Sequence, residues 1–144
     1  MNELIIGVDP GLHCGFAIFD EDSFECHEFR GLEAADHLYI ILKGVQKPAR
    51  VSCERYNITG KAAKTNQTDA LEVIGAMKWI CKRLSVPFTL VGSSDATRGM
   101  TRETLKQLGF WLPGKPDHYQ RAAAQVAYTL KTSHPSEYLD RLGS

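Results

Sequence analysis

The chain has 144 residues, of which 43% are hydrophobic and 24% charged, the composition of an ordinary globular protein. This length predicts a single domain over residues 1–144 and is short for two. Because 17 basic and 17 acidic side chains balance, no net charge draws the protein to nucleic acid or to a membrane, and any such binding must come from local patches.

The sequence lacks the features of a membrane or secreted protein. It has no apolar run long enough to span a bilayer, and its first residues lack the basic, apolar and small-residue order of a signal peptide. These features predict a cytoplasmic protein that does not bind membranes. The four cysteines match no zinc-binding spacing, so we expect reduced thiols in or near the core.

Five stretches have the composition and alternation of β-strands. They cover residues 3–9, 15–20, 24–30, 50–56 and 86–92. The first three follow one another through short turns, and we expect them to form an antiparallel meander.

Four stretches have the periodicity of helices. They cover residues 31–45, about 66–85, 101–109 and a last stretch that begins near 117. The resulting order is βββαβαβαα. It predicts an α/β fold with a mixed five-stranded sheet, three antiparallel strands followed by parallel crossovers, flanked by helices.

Two acids stand at the ends of predicted strands. Asp9 ends the first strand, and Glu54 lies near the end of the fourth. If these strands are central and parallel, the two carboxylates meet at one sheet edge, where open α/β sheets usually bind ligands. The alternative is that Asp9 only opens the turn at Pro10 and Gly11, while Glu54 pairs with a base such as Arg55.

A pair of close carboxylates needs a proton or a cation between them, because the two charges repel. Mg²⁺ suits such a pair, since it prefers oxygen ligands and often takes only one or two protein carboxylates beside substrate phosphate. Two such ions about 4 Å apart would stabilise the attacking and leaving oxygens of a phosphodiester displacement.

Several motifs resemble one protein family in matching order. The segment "IIGVDPGLHCGFAIFD" resembles the first two strands of the ribonuclease H-like superfamily, particularly the RuvC branch of Holliday junction resolvases. The segment "VSCERY" resembles the fourth strand of that branch. The segments "NQTDALEVIGAMKWICKRL", "VPFTLVG" and "KPDHYQRAAAQVAYTL" then follow, so the resemblance covers nearly the whole chain.

This resemblance implies a ribonuclease H-like fold and a structure-selective DNA endonuclease that resolves four-way (Holliday) or branched junctions. It implies Mg²⁺ as cofactor, with Mn²⁺ as a substitute, and a homodimer to which the long helix contributes. No phosphate-binding loop occurs, and 144 residues cannot hold the second domain of an actin-like ATPase, so no nucleotide cofactor is expected.

The last helix departs from the family pattern, in which an acid or His is followed after two residues by Asp-Ala. Here His118 takes the first position, and Arg121 stands before Ala122 where the second Asp is expected. Arginine cannot bind a metal ion and should repel one. Asp117 precedes His118 by one residue and can face the same site from the first helical turn.

Three interpretations of this corner stay open. Asp117 and His118 replace the usual pair, with His118 as a metal ligand or as the group that orients the attacking water. Alternatively, Asp117 only caps the helix and pairs with Arg121 one turn later. In the third interpretation the site is impaired, and the protein binds branched DNA without cutting it efficiently.

DNA binding requires basic and aromatic side chains beside the acids, because branched DNA is held mainly through its phosphates. The predicted contacts are Arg55, Tyr56, Lys61, Lys64, Arg98, Arg102 and Lys106. The tyrosine is suited to stacking on an unpaired base. The last three bases are four residues apart and share one helical face if their helix starts early. For each base, a solvated surface position is the alternative.

The catalytic residues predicted here are Asp9, Glu54, Asp117 and His118, and the same four are the predicted metal ligands. Two competing functions are a junction-binding protein without cleavage and a ribonuclease H-like enzyme acting on RNA or RNA–DNA hybrids. The small size and the divergent last motif suit a phage or mobile-element protein.

Overall fold

The computed structural model describes residues 2–21, 23–56, 66–92, 96 and 99–143. Three of the predicted DNA contacts, Lys61, Lys64 and Arg98, lie outside the described residues. Within the described ranges, no helix combines the length and apolar character needed to cross a membrane.

Five strands form one mixed sheet in the order β3-β2-β1-β4-β5. The strands are β1 (Leu4–Asp9), β2 (His13–Asp20), β3 (Ser23–Arg30), β4 (Ala49–Glu54) and β5 (Phe88–Val91). The first three are antiparallel neighbours, whereas β4 runs parallel to both β1 and β5. The predicted fold class is therefore confirmed.

Five helices are present in the described part of the chain. They are α1 (Glu33–Gly44), α2 (Asn66–Arg83), α3 (Arg102–Leu108), α4 (Asp117–Ser133) and α5 (Pro135–Gly143). The sequence prediction contained four of them and missed α5. Its first residue, Pro135, lacks the N–H that would continue α4 but suits the first turn of a new helix, so the chain ends one helix and begins another.

Hydrophobic cores cover both faces of the sheet. One face of β1 contributes Leu4, Ile6 and Val8 to a core shared with α1 and α2. The opposite face contributes Ile5 to a core shared with α3, α4 and α5. Because side chains alternate along a strand, Asp9 lies on the same face as Ile5, toward α4.

The fourth strand presents Glu54 to the same face. The Ser52 hydroxyl donates a hydrogen bond of 2.6 Å to the Gln125 side-chain oxygen on α4, so Ser52 faces this helix. Glu54 is two residues further along β4 and shares that orientation. The strand ends at Glu54, so Arg55 and Tyr56, placed in the predicted strand, follow it instead.

Two glycines allow α4 to lie directly on the sheet. A Cβ atom on Gly7 would stand 2.3 Å from the Ala122 carbonyl oxygen, and one on Gly15 would stand 2.2 Å from the His118 carbonyl oxygen. Neither distance is compatible with a side chain. The absence of Cβ atoms at these two positions therefore fixes how closely the start of α4 approaches β1 and β2.

The long helix α2 exposes a tryptophan. Trp79 is 62% exposed, although tryptophan is usually a largely buried residue. Val73, Met77 and Cys81 form the buried side of the helix instead. All four cysteines of the chain are free thiols, and three of them are buried, which confirms the expectation of reduced core cysteines.

Candidate active site

Asp9 and Glu54 occupy neighbouring positions at the end of two parallel strands. Val8 lies opposite Cys53 in the β1–β4 register, so the next residues of the two strands, Asp9 and Glu54, stand side by side. Adjacent strands are about 4.8 Å apart. Because both residues face α4, the two carboxylates meet at one sheet edge, as the strand order predicts.

Burial and charge act together on Asp9, of which only 6% is exposed. The pKa of its carboxyl group rises to about 8, first because burial disfavours the charged form, and then through hydrogen bonding to Glu54 and the negative charge of Glu54. The positive charge of Arg121 acts in the opposite direction. In the absence of a cation, this pair of carboxyl groups therefore retains a proton at neutral pH.

The chemistry of this pair fits one hard divalent cation. A divalent ion held by Asp9 and Glu54 would take the place of the proton that they otherwise share and would compensate for the burial of Asp9. Across the residues that the structure describes, no group of three or more His, Cys, Asp or Glu side chains could hold a metal ion. An ion bound by Asp9 and Glu54 would need water or substrate oxygens for its remaining ligands.

The first turn of α4 completes a cleft of about 640 Å³ above these acids. The cleft is lined by Asp9, Glu54, Asp117, His118 and Arg121 together with the turn after β1 and the residues after β4. All four predicted catalytic residues therefore line one concave surface.

Asp117 does not fit the interpretation as a helix cap paired with Arg121. The N-cap position of α4 is Pro116, and no side-chain cap hydrogen bond is present there. Asp117 is the first helical residue and is exposed, and no salt bridge joins it to Arg121 in the described structure. Its carboxylate is left facing the cleft near the positive end of the helix dipole.

Glu28 is a residue of this site that the sequence reasoning missed. It pairs across the sheet with Gly15, which in turn pairs with Asp9, so one row crosses the sheet from Glu28 to Asp9. His118 lies above the glycine in this row, and its Nε2 atom is 2.7 Å from Glu28 Oε1. The signal in the sequence was the alternation of β3, but using it required the register of the β2–β3 hairpin.

The contact between Glu28 and His118 is close but not aligned. His118 Nε2 is buried, and among the described residues no partner meets hydrogen-bond geometry with it. The 2.7 Å distance therefore brings the imidazole nitrogen against the carboxylate without the angles of a hydrogen bond. His13 Nδ1 lies 3.7 Å from the same oxygen, so Glu28 stands between two histidines at the rim of the cleft.

The predicted DNA contacts divide into two groups. Arg55, which is exposed, and Tyr56, which is partly buried, line the cleft beside Glu54. Arg102 and Lys106 are exposed on α3, outside the residues that line the cleft, and the Arg102 guanidinium lies 5.1 Å from the Trp111 ring centre. Because α3 begins at Arg102, the described part of the proposed helical face comprises Arg102 and Lys106.

The solved structures similar to this chain include two of RuvC from Thermus thermophilus. A structure of RuvC in complex with a Holliday junction substrate has a TM-score of 0.65 and 15% sequence identity, covering 90% of this chain and 96% of that one. A second RuvC structure has a TM-score of 0.58 and 14% identity, with the same coverage.

The sequence comparisons give no match, because no protein-family profile and no curated protein matches the chain. The similar structures come from a bacterium and do not bear on the predicted phage origin. At 14–15% identity, the similarity concerns the fold alone. The chain has the ribonuclease H-like fold of RuvC over 90% of its length, as the resemblance in its sequence predicts.

Proposed function

We propose that the protein is a metal-dependent, structure-selective endonuclease that cuts four-way or otherwise branched DNA. The observation that carries this proposal is the proximity of Asp9 and Glu54. They stand side by side at the ends of two parallel strands, on the face of the sheet that α4 covers. The fold similarity to a RuvC bound to a Holliday junction supports DNA as the substrate.

In the proposed reaction, a water oxygen attacks the phosphorus of a phosphodiester. The bond from phosphorus to the 3′ oxygen breaks, the 3′ oxygen takes up a proton, and the products carry a 5′ phosphate and a 3′ hydroxyl. Bound Mg²⁺, or Mn²⁺ in its place, would supply Lewis acidity at the phosphate. Asp9 and Glu54 would hold that ion, and His118, which lines the same cleft, would orient the water or accept its proton.

Arg55 and Tyr56 are proposed to bind the DNA strand as it enters the cleft. The guanidinium pairs with a phosphate, while the tyrosine stacks on a base that the branch leaves unpaired. Both residues follow Glu54 directly and line the same surface. Arg102 and Lys106 remain predicted contacts outside this cleft, and Lys61, Lys64 and Arg98 remain predicted contacts beyond the described residues.

The deciding experiment is cleavage of a labelled four-way DNA junction with Mg²⁺ or Mn²⁺. Wild-type protein is expected to make nicks, and Asp9→Asn, Glu54→Gln and His118→Ala to keep junction binding while cleavage falls. Lys43→Ala is the control for the substitutions. This exposed lysine lies in the last turn of α1, shortly before the chain enters β4. Glu54 lies at the other end of that strand.

A second candidate function, junction binding without cleavage, is favoured by Arg121. Its positive charge acts on Asp9 from within the cleft and lowers the attraction of the site for a metal ion. Junction binding by wild-type protein with no cleavage in either metal would select this function. Preference for an RNA–DNA hybrid over the junction would instead select a ribonuclease.

A further inference from the structure

Arg121 places a positive charge in the cleft beside Asp9 and Glu54. Its side chain lines the cleft with Asp9 and Glu54 and is exposed there. Among the described residues, no carboxylate forms a salt bridge with Arg121, while its charge favours the ionised form of Asp9. A guanidinium in this setting is available to a negatively charged ligand.

The backbone holds Arg121 at this place. The next residue, Ala122, has its carbonyl oxygen against Gly7, where a Cβ atom would stand only 2.3 Å away. Gly7 precedes Asp9 by two residues on the same face of β1. The start of the Arg121 side chain is therefore fixed near the carboxylate end of the strand and does not depend on a flexible loop.

The carboxylates and the arginine together limit how many metal ions the cleft can take. Asp9 and Glu54 suit one divalent ion, but no third side chain of a metal-binding type joins them in the described part of the structure. A second ion near Arg121 would meet a like charge at close range. The guanidinium already provides the additional positive charge that a bound phosphate needs.

We propose that Arg121 binds the phosphate at which the DNA is cut, as a fixed cation, so that the cleft takes one divalent ion rather than two. The identity of the phosphate rests on the proposed function. Arginine suits this role because its planar group donates two parallel hydrogen bonds to phosphate oxygens and keeps its charge at all physiological pH values.

The number of ions is tested on the full-length protein without DNA, by calorimetric titration with Mn²⁺. We expect one ion per chain in wild-type protein, none in Asp9→Asn, and two in Arg121→Asp, where a carboxylate replaces the positive charge. Two ions in the wild type, both lost in Asp9→Asn, would overturn the proposal. So would an unchanged count in Arg121→Asp, with thermal unfolding used to verify that this variant is folded.

The phosphate contact is tested by junction binding in Ca²⁺. Arg121→Ala is expected to weaken binding about tenfold, as for the loss of a hydrogen-bonded charge, and Arg121→Lys to weaken it less. In Arg121→Ala, the slope of the logarithm of the binding constant against the logarithm of the salt concentration should become shallower by the amount expected for about one phosphate contact. Lys43→Ala, which removes an exposed charge from the end of α1, is the matched control.

The outcomes separate this proposal from the proposed function. Wild-type affinity and salt dependence in Arg121→Ala would overturn the role of Arg121, even if the wild-type protein cuts junctions. Failure of the wild-type protein to bind or cut any branched DNA would instead overturn the proposed function, while the ion count in DNA-free protein still tests the one-ion site.

Discussion

Asp9 couples the stability of the metal-free protein to pH. Its pKa rises from an ordinary value of 3.8 to about 8 on folding. Between these values the folded state holds a proton that the unfolded state has released, so stability falls as pH increases. The charged neighbours that set this behaviour are Glu54, which raises the pKa, and Arg121, which lowers it.

We therefore expect the free energy of unfolding of metal-free wild-type protein to decrease from pH 5 to pH 9, and Asp9→Asn to show a smaller decrease. Urea unfolding in the presence of a chelator measures both. Mg²⁺ should stabilise the wild type more at pH 9 than at pH 5, because it no longer competes with the proton. An equal pH dependence in the two proteins would contradict the assignment of this titration to Asp9.

Glu28 contacts His118. It lies at the opposite end from Asp9 in the row of paired residues Glu28, Gly15 and Asp9. The carboxylate lies 2.7 Å from His118 Nε2 and favours one orientation of the ring. Carboxylates that orient a functional histidine typically contribute about 10- to 100-fold to metal affinity or activity. Glu28 acts through His118 and is thus a positioning residue in the proposed reaction.

Glu28→Gln is expected to reduce junction cleavage at least about tenfold while junction binding changes little. Glu25→Gln is the matched control, because Glu25 lies on the same strand but on the other face, 3.5 Å from His27. In a proton-NMR spectrum of the histidine rings, the His118 signals should shift in Glu28→Gln and stay unchanged in Glu25→Gln. Equal cleavage by both variants would show that Glu28 does not position His118.

At the scale of elements, α4 connects the core to the cleft. Its buried side packs on β1 and β2, and its first two turns carry Asp117, His118 and Arg121. The position of these residues depends on Gly15, above which the His118 backbone lies. A change in the packing of this helix is therefore also a change in the site.

Gly15→Ala is expected to destabilise the protein by about 1–3 kcal/mol, because the added methyl group would stand 2.2 Å from a backbone oxygen that cannot move alone. Cleavage should fall further than stability alone explains, since the start of α4 moves with the clash. The control is Gly44→Ala at the end of α1, where a Cβ meets nothing within 4 Å. Chemical unfolding and junction cleavage measure the two effects, and a Gly15→Ala protein equal to its control in both would contradict this account.

The elements and the two central acids follow from patterns within single segments of the sequence. Apolar alternation and periodicity predicted all five strands, four helices and the meeting of Asp9 with Glu54. The contact of Glu28 with His118 was not predictable in this way, because it joins residues 90 positions apart through the register of a hairpin and the approach of a helix. The helix α5 is likewise not predictable from one segment, because Pro135 marks the end of α4 but does not show that a separate helix follows.

At the scale of the whole molecule, the exposed apolar residues are concentrated on the α1 and α2 side of the sheet. In the described ranges, six large apolar residues are exposed by 39% or more, and four of them lie within these two helices: Tyr39, Ile40, Leu71 and Trp79. Trp79 and Leu71 are two helical turns apart on α2. The family resemblance implies a homodimer through the long helix, and we expect this surface to form its interface.

Trp79→Lys is expected to weaken self-association at least about tenfold, because a large exposed aromatic residue is a typical anchor of an interface and lysine carries charge into it. Sedimentation over a range of concentrations measures the change. Leu139→Lys on α5, across the sheet, removes a side chain that is 63% exposed and is expected to leave association unchanged. A dimer that persists in Trp79→Lys, or a wild-type protein that is monomeric, would contradict this interface. If the variant is monomeric, paired nicks in a symmetric junction should become single nicks, because each site would then act without a partner.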